Sequence, residues 1–115
     1  MTTLTLPWPD RALSSNARVH WRKKAKATAK ARAEAFYAAK AAKVQPDPAA
    51  TLVISAYPPD ARRRDVQNFP ALCKASIDGI ADAMGVDDNG FRVRFPEAFA
   101  EPRKGGALVI DVRGA

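Results

Sequence analysis

The chain has 115 residues, 47% of them hydrophobic, and carries 19 Lys and Arg against 12 Asp and Glu, a formal net charge of +7. This length predicts one domain spanning residues 1–115, and the charge favours a polyanionic partner such as nucleic acid. Because no run approaches the roughly 18 apolar residues that cross a bilayer and no signal-peptide core is present, we expect a cytoplasmic protein without a membrane partner. With one Cys and one His, a thiolate and imidazole zinc site is excluded, so any metal is expected to be held by oxygen.

The first half of the chain predicts a short strand followed by a long helix. Residues 4–6 alternate in polarity before Pro7 and Pro9 end the pattern. Residues 19–43 contain no Gly or Pro and are mostly Ala, Lys and Arg, which are strong helix formers. Helical spacing predicts an apolar face flanked by a cationic arc. The apolar face comprises Trp21, Ala25, Ala29, Ala33 and Phe36, and the arc comprises Arg22, Lys23, Lys26, Lys30 and Lys40.

The second half predicts three strands and one further helix. Residues 51–57, 91–95 and 107–112 have the composition of strands, and residues 70–84 carry an apolar stripe at helical spacing. Asn68 is a candidate cap for that helix, Pro70 suits its first turn and Gly85 closes it. Cys73 lies on the stripe as a small buried residue. The order β-α-β-α-β-β predicts an α/β (α+β) fold, a compact two-layer domain with two helices packed on a mixed sheet.

The positive charge is concentrated on one segment. Residues 18–43 contain nine basic residues and one acid, and three consecutive arginines follow at 62–64. A solvated surface is one interpretation, but the one-sided charge favours contacts with phosphate, which position a nucleic-acid backbone without reading its sequence.

Acidic residues beside these cations indicate chemistry beyond binding. Asp65 follows the three arginines directly, and Asp87 and Asp88 form a pair. Carboxylates would repel phosphate unless they hold a divalent metal such as Mg²⁺, which activates water and stabilises charge during phosphodiester cleavage. The alternative is that Asp65 pairs with its arginines while Asp87 and Asp88 form a turn.

The motifs, taken in order, resemble the RusA family of Holliday-junction resolvases, which is found in phages and prophages. The resemblance covers nearly the whole chain. It consists of Leu6-Pro7-Trp8-Pro9, an Asn at 16 before aromatic and basic residues, Arg62-Arg63-Arg64-Asp65-Val66-Gln67-Asn68, Lys74-Ala75-Ser76-Ile77-Asp78-Gly79 and Gly85-Val86-Asp87-Asp88. It implies a small RusA-like fold and a homodimeric, Mg²⁺-dependent endonuclease that nicks four-way DNA junctions symmetrically in recombination and repair.

The resemblance also implies roles for individual residues. Asp65 and Asp88 match the catalytic carboxylates that hold Mg²⁺, or Mn²⁺ in its place, and Lys74 matches the lysine that counters phosphate charge. Lys74 also fits an ordinary i,i+4 pair with Asp78. Asp87 and Gln67 are further candidate metal ligands. The residues expected to bind DNA are Asn16, Arg22, Lys23, Lys26, Lys30, Arg62, Arg63, Arg64 and Asn68.

Gln67 departs from the family pattern, which has a second aspartate in the D-x-D-N motif. Glutamine offers a carbonyl oxygen without charge, so weaker Mg²⁺ binding is expected while junction binding persists. Compensation would come from Asp87, or less favourably from Asp60 or Asp78. Three functions stay open at this point: a junction endonuclease, a RusA-like protein that binds branched DNA without cutting it, and a general basic RNA or DNA binder.

The spacing of the two candidate carboxylates predicts a folded-back or shared site. A helix over residues 70–84 is about 22 Å long and separates Asp65 from Asp88. Its flanking segments must therefore fold back, or the carboxylates must meet across a dimer interface. A dimer also suits the two-fold character of a four-way junction.

Overall fold

The computed structural model describes residues 2–15 and 17–114, which form two helices on one face of a four-stranded sheet. This confirms the predicted α+β class and the order of the main elements. The elements are β1 (Thr2–Leu6), α1 (Trp21–Ala41), β2 (Thr51–Tyr57), α2 (Phe69–Met84), β3 (Arg92–Arg94) and β4 (Ala107–Arg113), with single 3-10 turns at Arg11–Leu13, Val66–Asn68 and Asp88–Gly90.

The sheet is mixed and has the strand order β1-β4-β2-β3. β4 lies antiparallel to both β1 and β2, whereas β3 is parallel to β2. Ile110 on β4 is paired with Leu4 on one side and with Ile54 on the other. These side chains share one face because paired residues project to the same side of a sheet. Alternate residues of β2 are buried, so this face is the floor of the core.

Helix α2 is the central element of the core. Phe69 and Ile80 are fully buried together with Leu52, Leu108 and Ile110 from the sheet. The predicted start and end of α2 are confirmed: Asn68 is its N-cap, Pro70 lies in its first turn, and Gly85 closes it in the left-handed conformation (φ 71°). The Asn68 side chain nevertheless accepts no capping hydrogen bond from the first turn of the helix.

The predicted burial of Cys73 is also confirmed, since its side chain has no exposed surface. Burial in apolar surroundings raises the pKa of its thiol to about 12 because the thiolate would be desolvated there.

The predicted apolar face of α1 is wrong. Trp21 is 69% exposed, and the alanines assigned to the same face are exposed as well. The buried residues of α1 are instead Ala27, Ala35 and Ala39. The helix carries two series of alanines, each spaced four residues apart, so the sequence pattern is compatible with burial of either face. The bulky Trp21 and Phe36 lie with one series, and they favoured the face that the structure shows to be exposed.

Gly79 explains why small residues of α1 face α2. A Cβ built on Gly79 would lie 2.2 Å from the carbonyl oxygen of Arg32 and 2.9 Å from the Cβ of Ala35. Such a close approach of two helices requires a residue without a side chain on one of them. The large aromatic side chains of Trp21 and Tyr37 accordingly lie on the exposed side of α1.

Several predicted boundaries shift by a few residues. Helix α1 starts at Trp21 rather than Val19, because His20 caps it by accepting the Arg22 N–H at its Nδ1 (3.1 Å). The strand predicted over residues 91–95 is shortened to Arg92–Arg94, since the Phe91 N–H donates to Asp88 and belongs to the preceding turn. Within the described residues, no helix is long and apolar enough to span a membrane.

Candidate functional site

An exposed lysine on α2 is held between two aspartates. The Nζ of Lys74 donates to Asp78 Oδ1 at 2.9 Å and to Asp88 Oδ2 at 2.6 Å. The first contact follows from the i,i+4 spacing on the helix, and the second requires the chain to turn back after Gly85. We refer to Lys74, Asp78 and Asp88 as the lysine cluster. The structure thus brings together two of the three predicted catalytic residues.

The charges of the lysine cluster stabilise one another. Hydrogen bonds to Asp88, and then to Asp78, raise the pKa of Lys74 above its usual value. The same Lys74 bond lowers the pKa of Asp88. At neutral pH the cluster therefore holds one ammonium and ionised Asp88 on a solvent-exposed surface.

A second ion pair lies beside the lysine cluster. The Arg32 guanidinium of α1 binds both carboxylate oxygens of Asp82, with its Nε at 2.5 Å and an Nη at 2.9 Å. Since Asp82 follows Asp78 by one helical turn, the pair extends the same face of α2. The hydrogen bond to Asp82 raises the pKa of Arg32, and the charges of Asp78 and Asp88 add to that effect.

Asp65 lies before the start of α2, whereas Asp88 lies after its end. The Asp65 carboxylate accepts hydrogen bonds from the residues that follow it in the chain. Oδ1 accepts the backbone N–H of Gln67 at 2.9 Å, and Oδ2 accepts the amide of Asn68 at 3.0 Å. The carboxylate thereby caps the 3-10 turn that precedes α2. Asn68 and Asp65 are thus brought together, while Gln67 is exposed beside them.

The three arginines take different roles. Arg64 is held by Asp60, through its carboxylate at 2.9 Å and its carbonyl oxygen at 3.0 Å, and also donates to the carbonyl of Arg62. The side chains of Arg62 and Arg63 are exposed. The backbone N–H of Arg62, followed by the Arg64 guanidinium, lowers the pKa of Asp60. Asp60 is therefore the carboxylate that pairs with the arginines, the role weighed for Asp65.

Asp87 forms a turn, as the alternative interpretation of the Asp87–Asp88 pair predicted. Its Oδ1 accepts the N–H of Asn89 at 2.9 Å and caps the 3-10 turn at Asp88–Gly90. Asp88 differs because it reaches Lys74. Within residues 2–15 and 17–114, no group of three or more His, Cys, Asp or Glu side chains is arranged to hold a metal.

The basic residues of α1 lie on the surface. Arg22, Lys23, Lys26 and Lys30 are exposed, and the Arg22 guanidinium lies 5.3 Å from the centre of the Trp21 ring. Lys30 lines a cavity of about 270 Å³ between α1 and the segment after β1. Asn16, the remaining residue predicted to bind DNA, lies outside the described residues.

Two further arginines, which were not among the residues expected to bind DNA, extend the basic surface near Asp65. Three neighbouring depressions share lining residues, and together they carry a row of cationic side chains. We call this surface the arginine groove, defined by Arg18, Arg11, Arg64 and Arg63. The available signal was the position of Arg11 and Arg18 on either side of the polar segment 14–16.

The fold and the site define a class of protein: a compact α+β domain whose exposed helix surface holds a lysine between two aspartates. The chain is 42% identical over 119 residues to a protein of Xylella fastidiosa (strain Temecula1 / ATCC 700964) described as an uncharacterized protein. The match covers 99% of this chain and 77% of the relative, and the chain belongs to the same family as that protein. No family model matches the chain.

Proposed function

We propose that the protein is a Mg²⁺-dependent endonuclease of the RusA type that resolves four-way DNA junctions in the cytoplasm. The observation that carries the proposal is the lysine cluster, in which Lys74 contacts Asp88 directly. These are two of the three residues that the RusA resemblance assigns to catalysis, and they lie 14 positions apart in the chain.

The donor chemistry of the cluster suits Mg²⁺. Carboxylate oxygens are its preferred protein ligands, and one or two of them together with substrate phosphate are usually sufficient. Asp88 and Asp78 would supply such oxygens around Lys74, and Asp65 would supply another before the start of α2. The metal, when bound, would activate water and stabilise charge on the phosphodiester.

Lys74 would act as the cation that meets the scissile phosphate. Its ammonium is exposed, so a phosphate oxygen can approach it while Asp78 and Asp88 hold it in place. A positioned cation stabilises charge that develops on the phosphate during cleavage. Asp78 also provides a negative charge beside Asp88, which supports the idea that this cluster offsets the missing charge at Gln67.

The surrounding charges support a DNA partner. The exposed cations of α1, the exposed Arg62 and Arg63, and the arginine groove offer contacts to several phosphates. Such contacts position the duplex arms and do not read their sequence. A homodimer would present two such surfaces to a four-way junction, which has two-fold character and needs two cuts.

The test is cleavage of a synthetic four-way junction in Mg²⁺ or Mn²⁺, with dimerisation measured on the same samples by ultracentrifugation. We expect paired nicks by the native chain, and loss of rate on the order of 10²–10³-fold in Lys74→Met and Asp88→Asn, since preorganised charge has that weight elsewhere. Asp111→Asn is the matched control, because this aspartate lies on β4 and accepts a bond from Thr3. An uncut junction with both metals would refute the proposal.

A second function is favoured by Gln67 alone: binding of branched DNA without cleavage. In that case the native chain binds the junction in the absence of metal, leaves it intact in Mg²⁺, and gains cleavage in Gln67→Asp. Under the first proposal, Gln67→Asp only increases a rate that the native chain already has.

A further inference from the structure

A pocket in the middle of the arginine groove has a different character from its surroundings. It measures about 240 Å³ and is lined by Trp8, Phe69 and Phe99, with Arg64 and Asn68 at its rim. The three rings pack on one another, with centroids 5.4 to 6.0 Å apart. We call this site the aromatic pocket. Phe69 is fully buried behind it, while Trp8 and Phe99 are half-buried.

The rim of the aromatic pocket is polar and fixed. The guanidinium of Arg64 lies 5.6 Å from the centre of the Trp8 ring and is anchored by Asp60. The Asn68 amide donates to Asp65, which holds the Asn68 side chain at the same edge. A planar group entering the pocket would meet aromatic rings, a guanidinium and a side-chain amide together.

The size of the aromatic pocket and the charge around it indicate which kind of ligand it would bind. Pockets for drug-sized ligands run from about 300 to 1,000 Å³, so a cavity of about 240 Å³ suits a smaller planar group. Arg11 and Arg18 on one side and Arg63 on the other would hold phosphates that lead into and out of the pocket. A planar group flanked by phosphates on both sides is a nucleobase within a strand.

We propose that the aromatic pocket binds one unstacked nucleobase of the DNA strand that lies along the arginine groove. Bases stack on aromatic side chains and on arginine when they are released from a duplex. Releasing a base from a duplex costs least where the base is mismatched or already single-stranded, so a base left unpaired at a branch point would enter the pocket most readily. The inference rests on the proposed nucleic-acid function and deepens it, since it places an unpaired base next to Asp65.

The test uses Trp8 as the reporter, in the full chain with Trp21→Phe so that a single indole remains. A six-nucleotide thymidylate strand and a strand of the same length built from abasic residues are titrated against Trp8 fluorescence. We expect the thymidylate strand to quench Trp8 and to bind at least about tenfold more tightly than the abasic strand, because stacking contributes that much per base. Equal affinity, or no binding of either strand, would overturn the pocket.

Variants separate stacking from general charge. Phe99→Leu in the same background should reduce the preference for the thymidylate strand, and Trp8→Leu should do so when binding is followed by anisotropy of labelled strands. Two such variants keep the test decisive if one fails to fold. Tyr37→Leu is the control, because this exposed ring on α1 lies outside the pocket and should leave the preference unchanged.

The two proposals fail separately. If the protein cuts the junction but binds both strands equally, the nuclease proposal stands and base binding in the pocket is refuted. If the protein shows base-dependent quenching but leaves the junction uncut, base binding in the pocket stands and the nuclease proposal is refuted.

Discussion

Replacing Gly79 with alanine should destabilise the protein, although alanine is the better helix former. In an ordinary helix interior the change would stabilise by roughly 0.5–1 kcal/mol. Here the new Cβ would lie 2.2 Å from the Arg32 carbonyl oxygen, and backbone cannot rotate away as a side chain can. The helices must separate by about 1 Å, and overpacking of this kind costs typically ~1–3 kcal/mol.

The net effect is a loss of up to about 2.5 kcal/mol, centred on about 1 kcal/mol, in the free energy of unfolding, or a fall of roughly 5 °C in melting temperature for a domain of this size. Thermal and urea unfolding followed by circular dichroism measure both quantities. Gly85→Ala is a useful comparison, because its Cβ meets no atom within 4 Å and its cost comes only from the left-handed φ of 71°. Ala35→Gly should leave most of the loss at Gly79, because it removes only the 2.9 Å contact and leaves the Arg32 carbonyl oxygen in place. A Gly79→Ala chain as stable as the native protein would refute the close packing of α1 and α2.

Two further predictions concern titration and reactivity. In Lys74→Met the pKa of Asp88 should rise, because the hydrogen bond that lowers it is removed; carboxyl NMR titration measures this, and an unchanged pKa would contradict the contact. A lowered carboxylate pKa stabilises the fold above the unfolded-state pKa and loses that contribution as the pH falls, so the variant's stability should depend less on pH in the acid range. The raised pKa of Lys74 acts in the opposite direction, with its contribution lost as the pH rises through the folded-state value. The Cys73 thiol, with a pKa of about 12, should resist alkylation at pH 8 in the native protein and react when urea unfolds it, and fast labelling without urea would show that α2 is not packed as described.

Much of α2 could be predicted from sequence because its signals are local. Asn68, Pro70 and Gly85 mark its ends, and large apolar residues mark a single buried stripe. The orientation of α1 could not be predicted in the same way, since alanines at 25, 29 and 33 compete with those at 27, 31, 35 and 39. The choice between them depends on Gly79, which lies in another element and acts only through tertiary packing.

The contacts of the candidate site also differ in whether local sequence or tertiary structure determines them. The Lys74–Asp78 contact follows from helical spacing, so sequence alone suggests it. The contact of Lys74 with Asp88 depends on the turn after Gly85, and only the RusA resemblance linked the two residues beforehand. The sequence did not predict that Arg11 and Arg18 lie beside the aromatic pocket. Loops bring these residues together, and the conformation of a loop does not follow from a periodic sequence pattern.

The short strand β3 influences how copies of this chain can meet. It is an edge of the sheet, it has three residues, and two of them are exposed arginines. A second sheet that approached this edge would find few backbone groups to pair with and would bring like charges together. The edge thus disfavours pairing of β3 with the sheet of a second molecule. A dimer would therefore be expected to form through another surface, leaving both β3 edges to solvent.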